Sequence, residues 1–523
     1  MKEKKIQDEF GHGLKLLAKS SIIVFIGIFS SKIFSYLYRI IIARSLGPEV
    51  YGLFSLALMI LSLFVVISSL GLTEGVLRFI ALYRGKKEQD KVNFLFRVSL
   101  IIGVISGILF AIILFFSSEF ISLKFFHNQS LIIYLKFFSF LIPVSLLTNF
   151  YLSVIRAYEE IGWHSFIQNI LESSLKTIFL VIFIFFGLKT NAVISSSFLG
   201  ITGMFLAAYF VCKYKIKISY NNPLKNKIKK RKILLDLFAY SWPLIFLGII
   251  GNLFNWTDSF TIGYFKTVLD VGIYNSAVPI ASLLLLPSVI FMQLFFPLIT
   301  KEYSKKNFKL IKDLSQQVGK WIFLINLPLF LIIMLFPGVI INILFGQEYL
   351  IAENALRLLS LGFFSMSISA ISTYLLSMMG KSKIILKDTL VFVGINLILN
   401  LILVPLYGLT GAAFSTMISY ILFSSVLVYQ ANNELGIIPL RRKMIGIFLS
   451  GLISLTIIFI LRKFVLINTL GLIMISILFV SIYILLVFLT KSLDSNDFLV
   501  LRGIKNHILR KTSPDNHRDF LKD

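Results

Sequence analysis

Apolar residues in this chain are gathered into runs of about 20, the length an α-helix needs to cross a hydrocarbon core roughly 30 Å thick. Fourteen such runs lie near residues 20–42, 50–72, 92–116, 131–155, 165–186, 191–212, 238–263, 271–297, 321–344, 357–379, 385–404, 408–430, 444–461 and 466–489. Hydrophobic residues make up 57% of the 523 positions and charged ones only 15%, so no water-soluble fold could bury the apolar surface. The pattern predicts an all-α, polytopic membrane protein of about 14 transmembrane helices. The first run carries Lys32 and Arg39 with no small-residue cleavage site behind it, and is read as a retained helix.

The net charge of +26 does not signal nucleic acid, because the basic residues sit in alternate connecting segments. Of the 51 lysines and arginines, 39 fall on one side of the expected topology and seven on the other, with five inside spans. By the positive-inside rule both termini are cytoplasmic and the protein is a multi-pass cell-membrane protein. A single cysteine, Cys212, excludes an intramolecular disulfide. The five histidines carry no metal-type spacing, no phosphate-binding glycine loop occurs, and the outer loops are too short to house a catalytic domain. No enzymatic activity and no organic cofactor are expected.

The longest polar stretch, Lys213 to Lys232, follows the sixth run and carries nine basic residues without an acid. It divides the chain into a cytoplasmic amphipathic lead-in (1–19), an N-terminal six-helix lobe (20–212), a basic linker (213–237), a C-terminal six-helix lobe (238–430), two extra helices (431–489) and a basic tail (490–523). The halves are internally similar. Val50-Tyr51-Gly52-Leu53-Phe54-Ser55-Leu56-Ala57 resembles Asp270-Val271-Gly272-Ile273-Tyr274-Asn275-Ser276-Ala277, with Val50 aligned on Asp270. The same offset pairs Asn191-Ala192-Val193-Ile194-Ser195 with Gly411-Ala412-Ala413-Phe414-Ser415. Six helices per half make this a parallel repeat about an axis along the membrane normal, giving two pseudo-symmetric lobes.

Ionisable groups inside spans cost roughly 2.5–3.5 kcal/mol on insertion scales and so mark candidate sites. Lys32 lies near the middle of the first span, and Arg39, seven residues on, shares nearly the same helix face. Together they can grip a diphosphate, Arg through a planar fork and Lys as a point charge. Arg78, one turn from Glu74, is expected to pair with it at the inner mouth. Lys176 is expected to pair with Glu172 and to serve as a further cavity cation. In the second half, Asp258 is an intramembrane acid with no cation within one turn, so it calls for a proton, a metal ion or a distant partner.

The chain resembles the oligosaccharide flippases of the polysaccharide-transporter branch of the multidrug/oligosaccharidyl-lipid/polysaccharide exporter superfamily. The resemblance rests on Ala43-Arg44-Ser45-Leu46-Gly47-Pro48-Glu49-Val50-Tyr51-Gly52, on Gly272-Ile273-Tyr274-Asn275-Ser276-Ala277 and on Pro405-Leu406-Tyr407-Gly408-Leu409-Thr410-Gly411-Ala412-Ala413. It implies two lobes that alternate between inward- and outward-open states, moving a polyprenyl-(di)phosphate-linked oligosaccharide for cell-surface polysaccharide or glycoprotein glycan assembly. Fourteen spans look more like the lipid II flippases, whose resemblance implies a sodium site at Asp258, Asn396, Asn400, Ala412 and Thr416, and a headgroup cation at Lys32. Where that branch often has a second acid, this chain has Asn400, so coupling to sodium or to protons both stand. Membrane lipids and glycosyltransferases of the same pathway are the implied partners. The alternative is a multidrug or cation antiporter of the same superfamily, for which acids rather than Lys32 and Arg39 would line the first lobe.

Overall fold

The computed structural model describes residues 2–218, 227–461 and 469–493. Among them there is no strand, and the N-terminal lobe is built from α1 (Lys2–Ser68), α2 (Leu72–Gly85), α3 (Gln89–Phe120), α4 (Ser130–Ser139), α5 (Leu141–Ala157), α6 (Ile161–Ser165), α7 (Glu172–Phe185) and α8 (Lys189–Phe210). The C-terminal lobe holds α9 (Lys227–Phe265), α10 (Val268–Ser282), α11 (Leu286–Ser304), α12 (Phe308–Leu335), α13 (Pro337–Leu344), α14 (Glu353–Met378) and α15 (Ser382–Leu435). Two further helices, α16 (Lys443–Leu461) and α17 (Thr469–Leu489), close the order. Linker residues 219–226 and tail residues 494–523 lie outside the described residues, as do the side chains of the amphipathic lead-in.

Among the described residues, eleven helices are long and apolar enough to cross a membrane, or twelve if α4 and α5, bent by 42°, form one span. The fourteen expected runs are therefore not matched helix for helix. The difference lies in α1 and α15, which at 67 and 54 residues are far longer than one crossing requires. Each breaks at a glycine in a conformation that L-residues avoid, Gly47 (φ 83°) and Gly408 (φ 57°). Each then doubles back. Sixteen residues span about 24 Å of unbroken helix, yet the Tyr38 and Phe54 rings of α1 are 5.4 Å apart. Twenty residues span about 30 Å, yet Asn396 Nδ2 reaches Thr416 Oγ1 on α15 at 3.0 Å. Pro48, directly after the first break, sits in an opening turn where its missing N–H costs nothing.

Both turns lie at the end of the bundle away from the basic linker, here called the far end; the opposite end is the basic end. At the far end one apolar core draws on both lobes, packing Tyr51, Phe54 and Ala57 with Tyr274, Phe345 and Tyr349. The lobes touch there through a pair of glycines. A Cβ added to Gly52 would lie 1.9 Å from the Val268 carbonyl oxygen, and one added to Gly272 would lie 1.9 Å from that of Pro48. Gly52 and Gly272 are counterparts in the repeat, as are Pro48 and Val268, so the two copies of the motif meet face to face across a pseudo-two-fold axis.

Toward the basic end, α2 of the first lobe runs along α9 of the second. Gly71, with φ 67°, lets α2 approach so closely that a Cβ there would sit 2.0 Å from the Ser241 carbonyl oxygen. A separate core under α2, α3 and α5 packs Ile80, Phe96 and Phe150. Helices α16 and α17 lie against α12, where Leu327 and Leu331 meet Ile447, Ile458 and Phe479. Elsewhere large side chains such as Phe116 and Phe185 point outward, as expected of a surface facing lipid rather than water.

Candidate functional site

In the C-terminal lobe, α9 and both arms of the α15 hairpin converge on Asp258. Its carboxylate accepts bonds from Asn400 Nδ2 at 3.0 Å and from Thr416 Oγ1, which lies 2.8 and 2.7 Å from the two oxygens. The Tyr274 hydroxyl of α10 donates to it as well. Asn396 Nδ2 donates to Thr416 Oγ1 at 3.0 Å, and Asn400 Oδ1 accepts from Thr261 Oγ1 at 3.2 Å. Asn396 and Asn400 are one turn apart and both buried, Asn400 completely. Ala412 is fully buried one turn before Thr416.

This network contains oxygen types that suit a hard cation: one carboxylate, two side-chain amides and a hydroxyl. Asp258 accepts from an amide and two hydroxyls, so its own negative charge is the one that would balance a bound ion. The amide of Asn400 turns its NH2 toward Asp258 and its oxygen toward Thr261. Exchanging the amide ends, a rotation about one bond, would present the oxygen instead. The side chains thus fit a monovalent cation, which Asp258, Asn396, Asn400 and Thr416 would hold, with Ala412 one turn before Thr416 on the same arm of α15. Tyr274 and Thr261 complete the network and were not among the sequence-derived candidates. The available signal was spacing: Tyr274 follows Asp258 across the short α9–α10 turn by a separation that sets the two at one depth.

The cationic candidates of the first lobe are more dispersed. Lys32 and Arg39 are both half-buried on the first arm of α1. The Lys32 ammonium stands 5.9 Å from the Tyr36 ring, and Arg39 Nη1 reaches the Tyr51 hydroxyl at 3.4 Å. Tyr36 itself touches Ser282 Oγ across the lobe seam at 3.2 Å, so Lys32 sits one turn to the basic side of an inter-lobe contact. Lys176 Nζ does pair with Glu172, at 2.5 Å. Arg78 departs from expectation. It forms no ion pair with Glu74 among the described residues, and its guanidinium instead lies 4.1 Å above the Tyr240 ring of α9. Both Arg78 and Glu74 are exposed, where a flat cation gains more from an aromatic face than from a solvated carboxylate.

A further cation that sequence reasoning passed over is Arg44, just before the Gly47 turn. Its Nε bonds Leu344 O at 2.9 Å and its Nη2 bonds Asn342 O at 3.1 Å and Ile343 O. These are the last carbonyls of α13 in the other lobe, which no intrahelical N–H satisfies. Tyr349 Oη adds a bond to Ala43 O at 3.2 Å. Nothing in the local pattern marks this contact, since its acceptors are backbone atoms in the opposite half of the chain.

The comparisons with known proteins agree with this architecture. The family described as "Polysaccharide biosynthesis protein" matches residues 17–303, and that described as "MatE" matches residues 243–402. A Shigella flexneri protein named as an O-antigen transporter is 27% identical over 391 residues, covering 73% of this chain and 89% of its own. Lipid II flippase MurJ of Bacillus subtilis is 22% identical over 480 residues, covering 84% and 88%. A solved structure of lipid II flippase MurJ in an inward closed conformation superposes with a TM-score of 0.71 at 19% identity, covering 91% of this chain and all of that one. At that identity the superposition establishes a shared fold.

Proposed function

This chain belongs to the polysaccharide biosynthesis protein family, and from that premise we propose that it is a flippase for a polyprenyl-(di)phosphate-linked oligosaccharide. Lys32 and Arg39 bind the anionic headgroup between the lobes, and the sugar crosses as the lobes alternate between openings at the two ends. The cell membrane is its location, with both termini cytoplasmic. It has no catalytic activity of its own and receives its substrate from glycosyltransferases of the same pathway. A sodium ion or proton at the Asp258 network supplies the driving force.

One observation carries this reading: two half-buried cations share one face of a helix at the lobe seam, beside a far end that is sealed by backbone-to-backbone packing. A site of that sign suits a diphosphate and opposes the organic cations that multidrug antiporters favour. Arg78 and Lys176 contribute less directly, because Tyr240 and Glu172 already engage them. Replacing Lys32 with Ala should abolish surface glycan while protein levels in the membrane stay unchanged. Normal glycan in that variant would refute the headgroup role.

A further inference from the structure

The offset that aligns the two motifs relates the two polar clusters as well. Tyr38, Phe54, Lys176 and Ser196 have Asp258, Tyr274, Asn396 and Thr416 as their counterparts. Several of the contacts repeat along with the positions. The Tyr38 hydroxyl lies 3.1 Å from Ser196 Oγ, as Thr416 Oγ1 lies 2.7 and 2.8 Å from the oxygens of Asp258. Tyr38 and Phe54 meet edge-on at 5.4 Å where Asp258 and Tyr274 are bonded. Ser55 and Asn275 each donate to the carbonyl four residues earlier, at 2.8 and 2.9 Å. Ser62 and Ser282 do the same over three residues, at 2.8 and 2.9 Å, and each also crosses the seam to the other lobe.

The chemistry of the two clusters is nevertheless opposite. The N-terminal one replaces the acid with a phenol and the amide of Asn396 with the ammonium of Lys176. That ammonium is 2.5 Å from Glu172 one turn earlier, and only 13% of the lysine side chain is exposed. The space is made by Gly200, whose added Cβ would lie 2.4 Å from Lys176 Cγ; its counterpart in the other lobe is the bulky Tyr420. The fold has therefore provided a groove for the lysine methylenes where the C-terminal lobe has an aromatic ring.

We propose that the N-terminal cluster is the counterpart of the Asp258 site with its cation built in. The Lys176 ammonium, held by Glu172 and with its methylenes packed on Gly200 one turn from Ser196, is a tethered ion, so the C-terminal lobe alone exchanges a free one. This rests on the cation reading of Asp258. It also moves Lys176 from the substrate-binding group to the ion-balancing one. A covalently loaded lobe stays electrically constant through a transport cycle, and the ion gradient then acts on one lobe only.

The test uses the purified full chain in detergent and an Asp258→Asn background. Adding Lys176→Ala removes the tethered cation and leaves Glu172 to draw a free one. Methylammonium, a soluble copy of the lost head group, should then raise the melting temperature by several degrees, and a further Glu172→Gln change should cancel that shift. A monodisperse, folded Asp258→Asn/Lys176→Ala variant that ignores methylammonium would overturn the proposal. The wild-type chain gives a reading that depends on no variant fold: radioactive sodium should bind at one site per chain. A second sodium that survives Asp258→Asn would also overturn it. If the wild type binds none, the reading of Asp258 fails by itself and the methylammonium result decides the tethered ion.

Discussion

Replacing Gly52 with Ala tests the sealed far end most directly. The added Cβ would stand 1.9 Å from the Val268 carbonyl oxygen, whereas ordinary contact begins near 3.4 Å. The two backbones must therefore part by about 1.5 Å, since a backbone carbonyl cannot rotate away as a side chain does. Overpacking costs ~1–3 kcal/mol, and a rigid backbone partner puts this case at the upper end. About 3 kcal/mol is a ~150-fold change in the ratio of two conformations. A conformation with the far ends separated carries no such penalty, so the population should move toward it. Spin labels at Lys189→Cys and Ile351→Cys, exposed far-end positions on different lobes, report the separation by pulsed dipolar spectroscopy. The native Cys212 is buried and does not compete for label. Symmetry sharpens the expectation: Gly272→Ala should act equally, and the double variant should add little, because one substitution already parts the same contact. A wild-type distance distribution in either single variant, or a clear inequality between them, would refute the argument.

Arg44→Ala removes three hydrogen bonds to the end of α13 and should weaken far-end closure by ~1–2 kcal/mol, a ~5–30-fold population change after allowance for its exposure. Arg44→Lys should fall between it and the wild type, because an ammonium cannot span three carbonyls; the same spin-label pair measures both. Asp258→Asn should remove the sodium dependence of the melting temperature, and an identical sodium response in variant and wild type would reject the cation site. Tyr274→Phe takes one donor from the buried carboxylate at a cost of about 1.5–3 kcal/mol, so thermal unfolding without sodium should come several degrees earlier.

Much of the fold could be read from the apolar runs, because a bilayer imposes their length and nothing inside it tolerates unpaired backbone. The doubling back at Gly47 and Gly408, where the backbone leaves helical φ/ψ, is foreshadowed by the adjacent Gly-Pro and Pro-Leu-Tyr-Gly patterns. The gathering of Asp258, Asn396, Asn400 and Thr416 follows from helix periodicity once the family resemblance supplies which helices meet. Tyr274 escaped attention because a tyrosine in an apolar span looks like packing. Arg44 did so because its partners are carbonyls, which every residue has. The expected Glu74–Arg78 pair rested on spacing alone, and Tyr240, from a helix of the other lobe, took the guanidinium instead.

A contact in which one patch meets its own copy is the geometry of a two-fold homodimer. The Gly52–Gly272 crossing has that character, since Pro48, Gly52, Val268 and Gly272 form two equivalent halves of a single interface. Half of this chain, made as a separate polypeptide, would carry a surface suited to pairing with itself. In such an ancestor every substitution on the axis would have appeared twice at once, and neither half could have held a free ion while the other carried a tethered one. Because both halves lie in one chain, equivalent positions vary independently, and Tyr38 and Asp258 can differ.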